Sequence, residues 1–156
     1  MTGTLHNTFI DTISVSLVPI VFTPLALFFY TRKPVYFYMF CATIWVGGTT
    51  EYIKQGLSML SQDAVFYRPG GTTCALYNGY SEPHAPAFPS GHVGITTFVL
   101  CALLFTTKRA KLLHYICGGA YICLMGYSRY IKQCHNIPQI ICGLLYGATW
   151  SLLFKF

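Results

Sequence analysis

The run Ala87-Phe88-Pro89-Ser90-Gly91-His92, with the uncharged stretch Val93–Thr107 directly behind it, marks where a long polar connection gives way to apolar chain. Pro89 keeps the backbone before it extended, and Ser90 suits an N-cap, so a helix is predicted to begin here. The start of a helix presents unpaired backbone N–H groups and the positive end of the helix dipole, which together favour an anion. A histidine at that position can meet a phosphate. It can equally be an interfacial residue on a capped membrane helix, and the stretch by itself leaves both readings open.

Working outward, composition sets the solvent. Of 156 residues, 54% are hydrophobic and 9% are charged, against about 25% charged in a soluble domain. Lipid is therefore the expected surrounding. Five runs carry little or no charge: Ile13–Tyr30, Pro34–Thr50, Val93–Thr107, Leu112–Ser128 and Ile137–Phe154. Each approaches the roughly 17–25 residues that cross a hydrocarbon core. The expected fold is all-α and integral to the membrane, an antiparallel bundle of about five transmembrane helices in one domain over residues 1–156. The short spans suit a thin bilayer such as that of the endoplasmic reticulum. No basic region and cleavage site precede the first run, so no removable signal peptide is expected.

The formal charge of +6 calls for no nucleic-acid partner, because the ten basic residues are scattered singly at helix ends. The seven cysteines show no CxxC pair and no metal-ligand cadence. Five of them lie in apolar runs and serve as small hydrophobes. Cys74 and Cys134 lie in or beside polar connections, where sequence alone cannot set the geometry of a disulfide.

Along the chain, residues 1–7 read as a polar tail and Asp11 as a dipole-stabilising acid at the start of the first helix. Pro19 and Pro24 should kink that helix. Thr31-Arg32-Lys33-Pro34 forms a turn into a second helix that runs to about Lys54, where Gly47 and Gly48 would permit close helix contact. A connection over residues 55–88 follows, and Leu57–Val65 can continue as an interfacial helix. So long a connection in so small a membrane protein points to function or to disorder. Lys108–Lys111 turns the third helix into the fourth. Tyr130 to Asn136 leads to a fifth, whose first turn Pro138 suits.

Helix counting then assigns sides. Arg32, Lys33, Lys108, Arg109, Lys111 and Lys155 fall on one face of the membrane; Lys54, Arg68, Arg129 and Lys132 fall on the other with Asp63 and Glu82. The positive-inside rule makes the first face cytoplasmic. Arg68, Ser90-Gly91-His92, Ser128-Arg129 and His135 thus gather on the lumenal or extracytoplasmic face. Two arginines, two histidines and a helix start can hold a phosphate at the lipid–water boundary, with arginine suited to bidentate contact.

Tyr67-Arg68-Pro69, Pro89-Ser90-Gly91-His92 and Ser128-Arg129-x5-His135 resemble, in order and placement, the three signatures K-x6-R-P, P-S-G-H and S-R-x5-H of the type 2 phosphatidic acid phosphatase superfamily. The second and third match without a gap. The resemblance implies that His135 is the nucleophile, giving a phosphohistidine, and that His92 protonates the leaving group and then activates water. It implies that Arg68, Arg129, the Ser90 hydroxyl and the Gly91 N–H bind the phosphate oxygens, with no metal or other cofactor required. A Cβ at Gly91 would crowd the phosphate. The place of His135 at a helix start would help to keep it neutral.

Two positions depart from the pattern. The family's lysine would fall at Ser61, whereas Lys54 stands fourteen residues before Arg68, about 21 Å along a helix instead of about 10 Å. Either the chain folds back so that Lys54 reaches the phosphate, or Lys54 is a snorkelling helix-end residue paired with Glu51. Many members carry aspartate four residues beyond the nucleophile; here Gln139 stands there to orient the imidazole, as in the similar dolichyl diphosphatase branch. Tyr77, Tyr80, His84 and Phe88 are candidates for an entrance, and His114 for a structural residue at the opposite turn.

The activity implied is hydrolysis of a phosphate monoester or diphosphate of a lipid, either phosphatidate-like or a polyprenyl or dolichyl diphosphate. The rivals are a lipid phosphotransferase with the same intermediate and a noncatalytic membrane scaffold derived from the enzyme. Five helices are fewer than the six common in the superfamily, so a peripheral helix is missing or a homodimer completes the packing.

Overall fold

The computed structural model describes residues 2–75, 79–154 and 156. They form α1 (Thr2–Val15), α2 (Leu17–Thr31), α3 (Pro34–Leu60), a 3₁₀ turn (Ala64–Phe66), α4 (Gly91–Thr106), α5 (Leu112–Ile131) and α6 (Ile137–Leu153). No strand occurs among the described residues, only an isolated antiparallel bridge between Tyr67 and Pro86. The chain is all-α, as expected. Taken as one unit, α1 and α2 make five helices.

The break between α1 and α2 falls at Ser16 and has a local cause. Pro19 has no N–H to give the carbonyl of Val15, and its ring crowds that turn, so the helical run is interrupted three residues earlier. Pro24 lies within α2 without ending it. The N-terminal stretch is helical from Thr2 instead of a loose tail. Asp11 lies in the third turn of α1, not at its start. It accepts from Lys132 Nζ at 2.8 Å, so its partner is the end of α5 and not the dipole of its own helix.

Helix α4 is central, packing against α6, α3, α5 and α2. Its contact with α6 is backbone on backbone. A Cβ on Gly147 would fall on the carbonyl of Gly94, and one on Gly143 would stand 2.5 Å from the Ser90 carbonyl oxygen. Close helix contact is thus made at Gly94, Gly143 and Gly147. Gly47 lets α3 approach the Ile95 side chain of α4, where a Cβ would stand 3.3 Å away, whereas Gly48 meets nothing within 4 Å. Beneath the seam lie Ala42, Val46, Phe98 and Val99, and beside them Leu17, Val93 and Met125.

The outward faces are apolar. Phe22, Trp45, Ile116, Leu145 and Leu152 are all more than half exposed. Residues 7–31 are the one segment among the described residues both long and apolar enough to cross a membrane; Gly91–Thr106 and Ile137–Leu153 are apolar but shorter.

Helix α3 continues unbroken to Leu60, two turns beyond Lys54, so the long connection starts at Ser61. The chain then reverses. Tyr67 donates its hydroxyl to the Ser58 carbonyl at 3.0 Å, laying the connection back along α3. Ala87 N donates to Phe66 O at 2.8 Å and Arg68 N to Ala85 O at 3.1 Å, so Arg68 runs beside the start of α4. A Cys74–Cys134 disulfide and a 2.9 Å bond from Gly71 N to Gln133 O tie the same connection to the α5–α6 turn.

Candidate active site

Those ties bring four segments to one end of the molecule, around a cavity of about 210 Å³. Lys54 and Glu51 of α3, Arg68 and Cys74 of the connection, Gly91 and His92 of α4, and His135 of the α5–α6 turn line it. At about 30 Å³ per water molecule it has the volume of about seven waters, ample for one phosphate group. Ser90, Arg129 and Gln139 are fully buried just behind the wall. Every site residue named from sequence is therefore in this one place.

Arg129 is a large polar side chain with no exposed surface. Its Nη1 donates to Ser14 Oγ at 2.5 Å and its Nη2 to the Cys74 carbonyl at 2.6 Å. Two anchors fix the guanidinium plane, while Nε has no partner. Arg68 Nε and Nη1, Ser90 Oγ and His92 Nε2 are likewise shielded and unpartnered. A buried polar group without a partner costs about 1–3 kcal/mol, and five such atoms from four residues of one site call for an anionic occupant. Ser90 occupies the N-cap position of α4, yet its hydroxyl makes no cap bond. It is left for something else.

His135 is held by Gln139. The Gln139 amide nitrogen donates to the carbonyls of Val65 and Tyr67, each at 2.8 Å. Both of its protons face carbonyls, so Oε1 is the end turned to His135 Nδ1 at 3.0 Å. An oxygen there can only accept, so Nδ1 carries the proton and Nε2 keeps its lone pair. The same oxygen accepts from Asn136 N at 3.2 Å, closing a capping box on α6. Burial pushes His135 well below the usual histidine value. The charges of Arg129, Lys54 and Arg68 act the same way, and the Gln139 hydrogen bond opposes them. Burial is the largest of these influences and favours the neutral ring. Arg68 is also shifted down by burial, with Glu51 opposing.

The two alternatives for Lys54 each hold in part: the chain folds back, and Lys54 pairs with Glu51. The 3₁₀ turn returns the chain so that Lys54 and Arg68 line one cavity. Lys54 also bonds Glu51 at 2.6 Å, and its side chain is only 10% exposed, so it does not snorkel. A Cβ placed on Gly91 would stand 3.5 Å from Lys54 Nζ, ordinary contact in the empty cavity but space that a phosphate would need.

The remaining expectations divide. His84 has a left-handed backbone and its Nδ1 lies 3.2 Å from the Arg68 carbonyl. With Gln62, Tyr67, Arg68 and Asn136 it lines an outer recess of about 710 Å³ that shares Arg68 with the inner cavity. Phe88 packs on Phe66 at 5.4 Å, and Tyr80 is exposed. Tyr77 lies outside the described residues, as does Lys155. His114 accepts from Lys111 N at 3.0 Å and caps α5, a structural role as expected. Sequence reasoning missed Ser14 and the Cys74 carbonyl as supports of Arg129; nothing in the order of residues along α1 signals such a contact.

The three motifs share one cavity on an all-helical scaffold. The PAP2 superfamily model matches residues 37–155. The chain belongs to this superfamily. Its members are phosphatases of phosphate esters, often of lipids, which makes a phosphoric ester hydrolase the class to which this fold and site correspond. No curated protein and no solved structure matches the chain.

Proposed function

We propose that this protein is a multi-pass membrane phosphatase that hydrolyses a lipid phosphate or diphosphate through a phosphohistidine on His135. The observation that carries the reading is the convergence of unpartnered Arg68, Arg129, Ser90 and His92 atoms on a cavity where Gln139 leaves His135 Nε2 free.

The chemistry follows from those atoms. Arg68, Arg129, Ser90 and the Gly91 N–H take the nonbridging oxygens, Lys54 adds charge, and the donors stabilise the charge of the five-coordinate transition state. His135 Nε2 attacks phosphorus as the ester oxygen leaves with a proton from His92. His92 then takes a proton from water, the hydroxide breaks the P–N bond, and inorganic phosphate departs with both histidines restored. The outward apolar side chains and the low charge support burial in lipid. A disulfide beside the site favours an oxidising compartment, which agrees with a lumenal or extracytoplasmic face. Gln139 tilts the substrate towards polyprenyl or dolichyl diphosphate over phosphatidate. Against a noncatalytic scaffold stand the place of Lys54 in the cavity wall and the Gln139 oxygen turned to His135 Nδ1.

In purified protein, His135→Ala and His92→Ala should abolish phosphate release from phosphatidate and from isoprenyl diphosphates, both of which are offered to wild type. Wild-type activity in either variant overturns the mechanism.

A further inference from the structure

The chain has four acidic residues, and three have tasks or places away from the cavity. Asp11 pairs with Lys132, Asp63 caps the 3₁₀ turn through Val65 N, and Glu82 is exposed on the connection. Glu51 alone lines the cavity. A carboxylate in a site built for anions repels the ligand that the site is built for, so its presence needs a reason.

Its position supplies one. Glu51 Oε1 lies 2.6 Å from Lys54 Nζ and 3.8 Å from the point a Cβ on Gly91 would occupy. The carboxylate therefore lies near the N-terminus of α4, where a phosphate oxygen would be favoured. Lys54 is fixed in the wall with 10% of its side chain exposed, whereas Glu51 is 63% exposed at the mouth. One partner is held and the other is free to swing into solvent.

Resting on the phosphatase reading, we propose that Glu51 is a displaceable counter-anion: it pairs with Lys54 in the empty cavity, yields to the substrate phosphate, and returns to help expel product phosphate. Lys54, Arg68 and Arg129 place three cations around a small cavity, a set that would otherwise retain inorganic phosphate tightly. The carboxylate competes for Lys54 and weakens product and substrate together. No bond is made or broken; only the partner of Lys54 changes.

The test is product inhibition. With phosphatidate and a polyprenyl diphosphate as substrates, the inhibition constant of inorganic phosphate is measured for wild type, Glu51→Gln and Glu51→Ala. Both variants should bind phosphate about tenfold more tightly, with KM and kcat both lowered because release slows. Equal or weaker inhibition in either variant overturns the role of Glu51. If wild type releases phosphate from neither lipid, the phosphatase reading itself fails. If it does release phosphate and the constants coincide, only the counter-anion fails.

Discussion

Two histidines stand near helix starts at opposite ends of the molecule, and their Nδ1 atoms face opposite ways in chemistry. His114 precedes the body of α5 and accepts the Lys111 N–H at 3.0 Å; the ring is exposed and its acceptor nitrogen is consumed in capping. His135 precedes α6, is buried, and turns Nδ1 to the oxygen of Gln139. Its acceptor nitrogen is left over. A position near a helix start does not make a histidine reactive. On the proposed mechanism the partner of its other nitrogen does, together with the cations around it.

The sharpest way to break this contrast is to remove each ring. His135→Ala should lower phosphate release by about 10³-fold or more, while His114→Ala should leave turnover within twofold and cost about 1 kcal/mol of stability through the lost cap. Similar losses of activity in both would refute the distinction. Next in size is the disulfide, which lies at the His135 end. Cys134→Ser opens a loop spanning 60 residues, which should cost about 4 kcal/mol by chain entropy, read as a lowered Tm. Activity should fall as well, because the Cys74 carbonyl is an anchor of Arg129.

A smaller effect refines the role of Gln139. Gln139→Ala should lower kcat/KM by about 10–100-fold through loss of ring orientation. Gln139→Glu should instead move the acidic limb of the pH profile. On the proposed mechanism His135 must be neutral to attack, and burial holds it well below the usual value. A carboxylate beside Nδ1 stabilises the protonated ring, so the limb should shift towards neutral pH. An unmoved limb would mean that the titrating group is another residue. Smallest, Gly147→Ala forces a Cβ against the Gly94 carbonyl at the α4–α6 seam and should destabilise by about 1–3 kcal/mol. Gly48→Ala, with open space at the Cβ, should be neutral within about 0.5 kcal/mol.

Much of the site was legible before any fold was known. His92, Arg129 and His135 lie in uninterrupted motifs and Arg68 in one whose lysine is displaced, and counting apolar runs places them at one end of the helices, where they meet. Lys54 was legible only as a choice, because a linear distance along a helix says nothing about a chain that turns back after Leu60. Ser90 does stand at the N-cap of α4, but its hydroxyl makes no cap bond, a difference invisible in sequence because the same residue type serves either purpose. The Glu51–Lys54 pair was legible at i, i+3 spacing, whereas Ser14 and the Val65 and Tyr67 carbonyls are distant or backbone partners that leave no mark in a residue pattern.

By itself, the sequence determined the helices, their apolar exteriors and the end at which the polar residues gather, because hydrophobic run length and proline or glycine placement act locally. Tertiary structure alone decided the joining of Cys74 to Cys134, the fixing of Arg129 by Ser14, and the anchoring of the Gln139 amide by the Val65 and Tyr67 carbonyls. Each depends on atoms between 60 and 115 residues apart, which only the packing of distant segments brings within bonding distance.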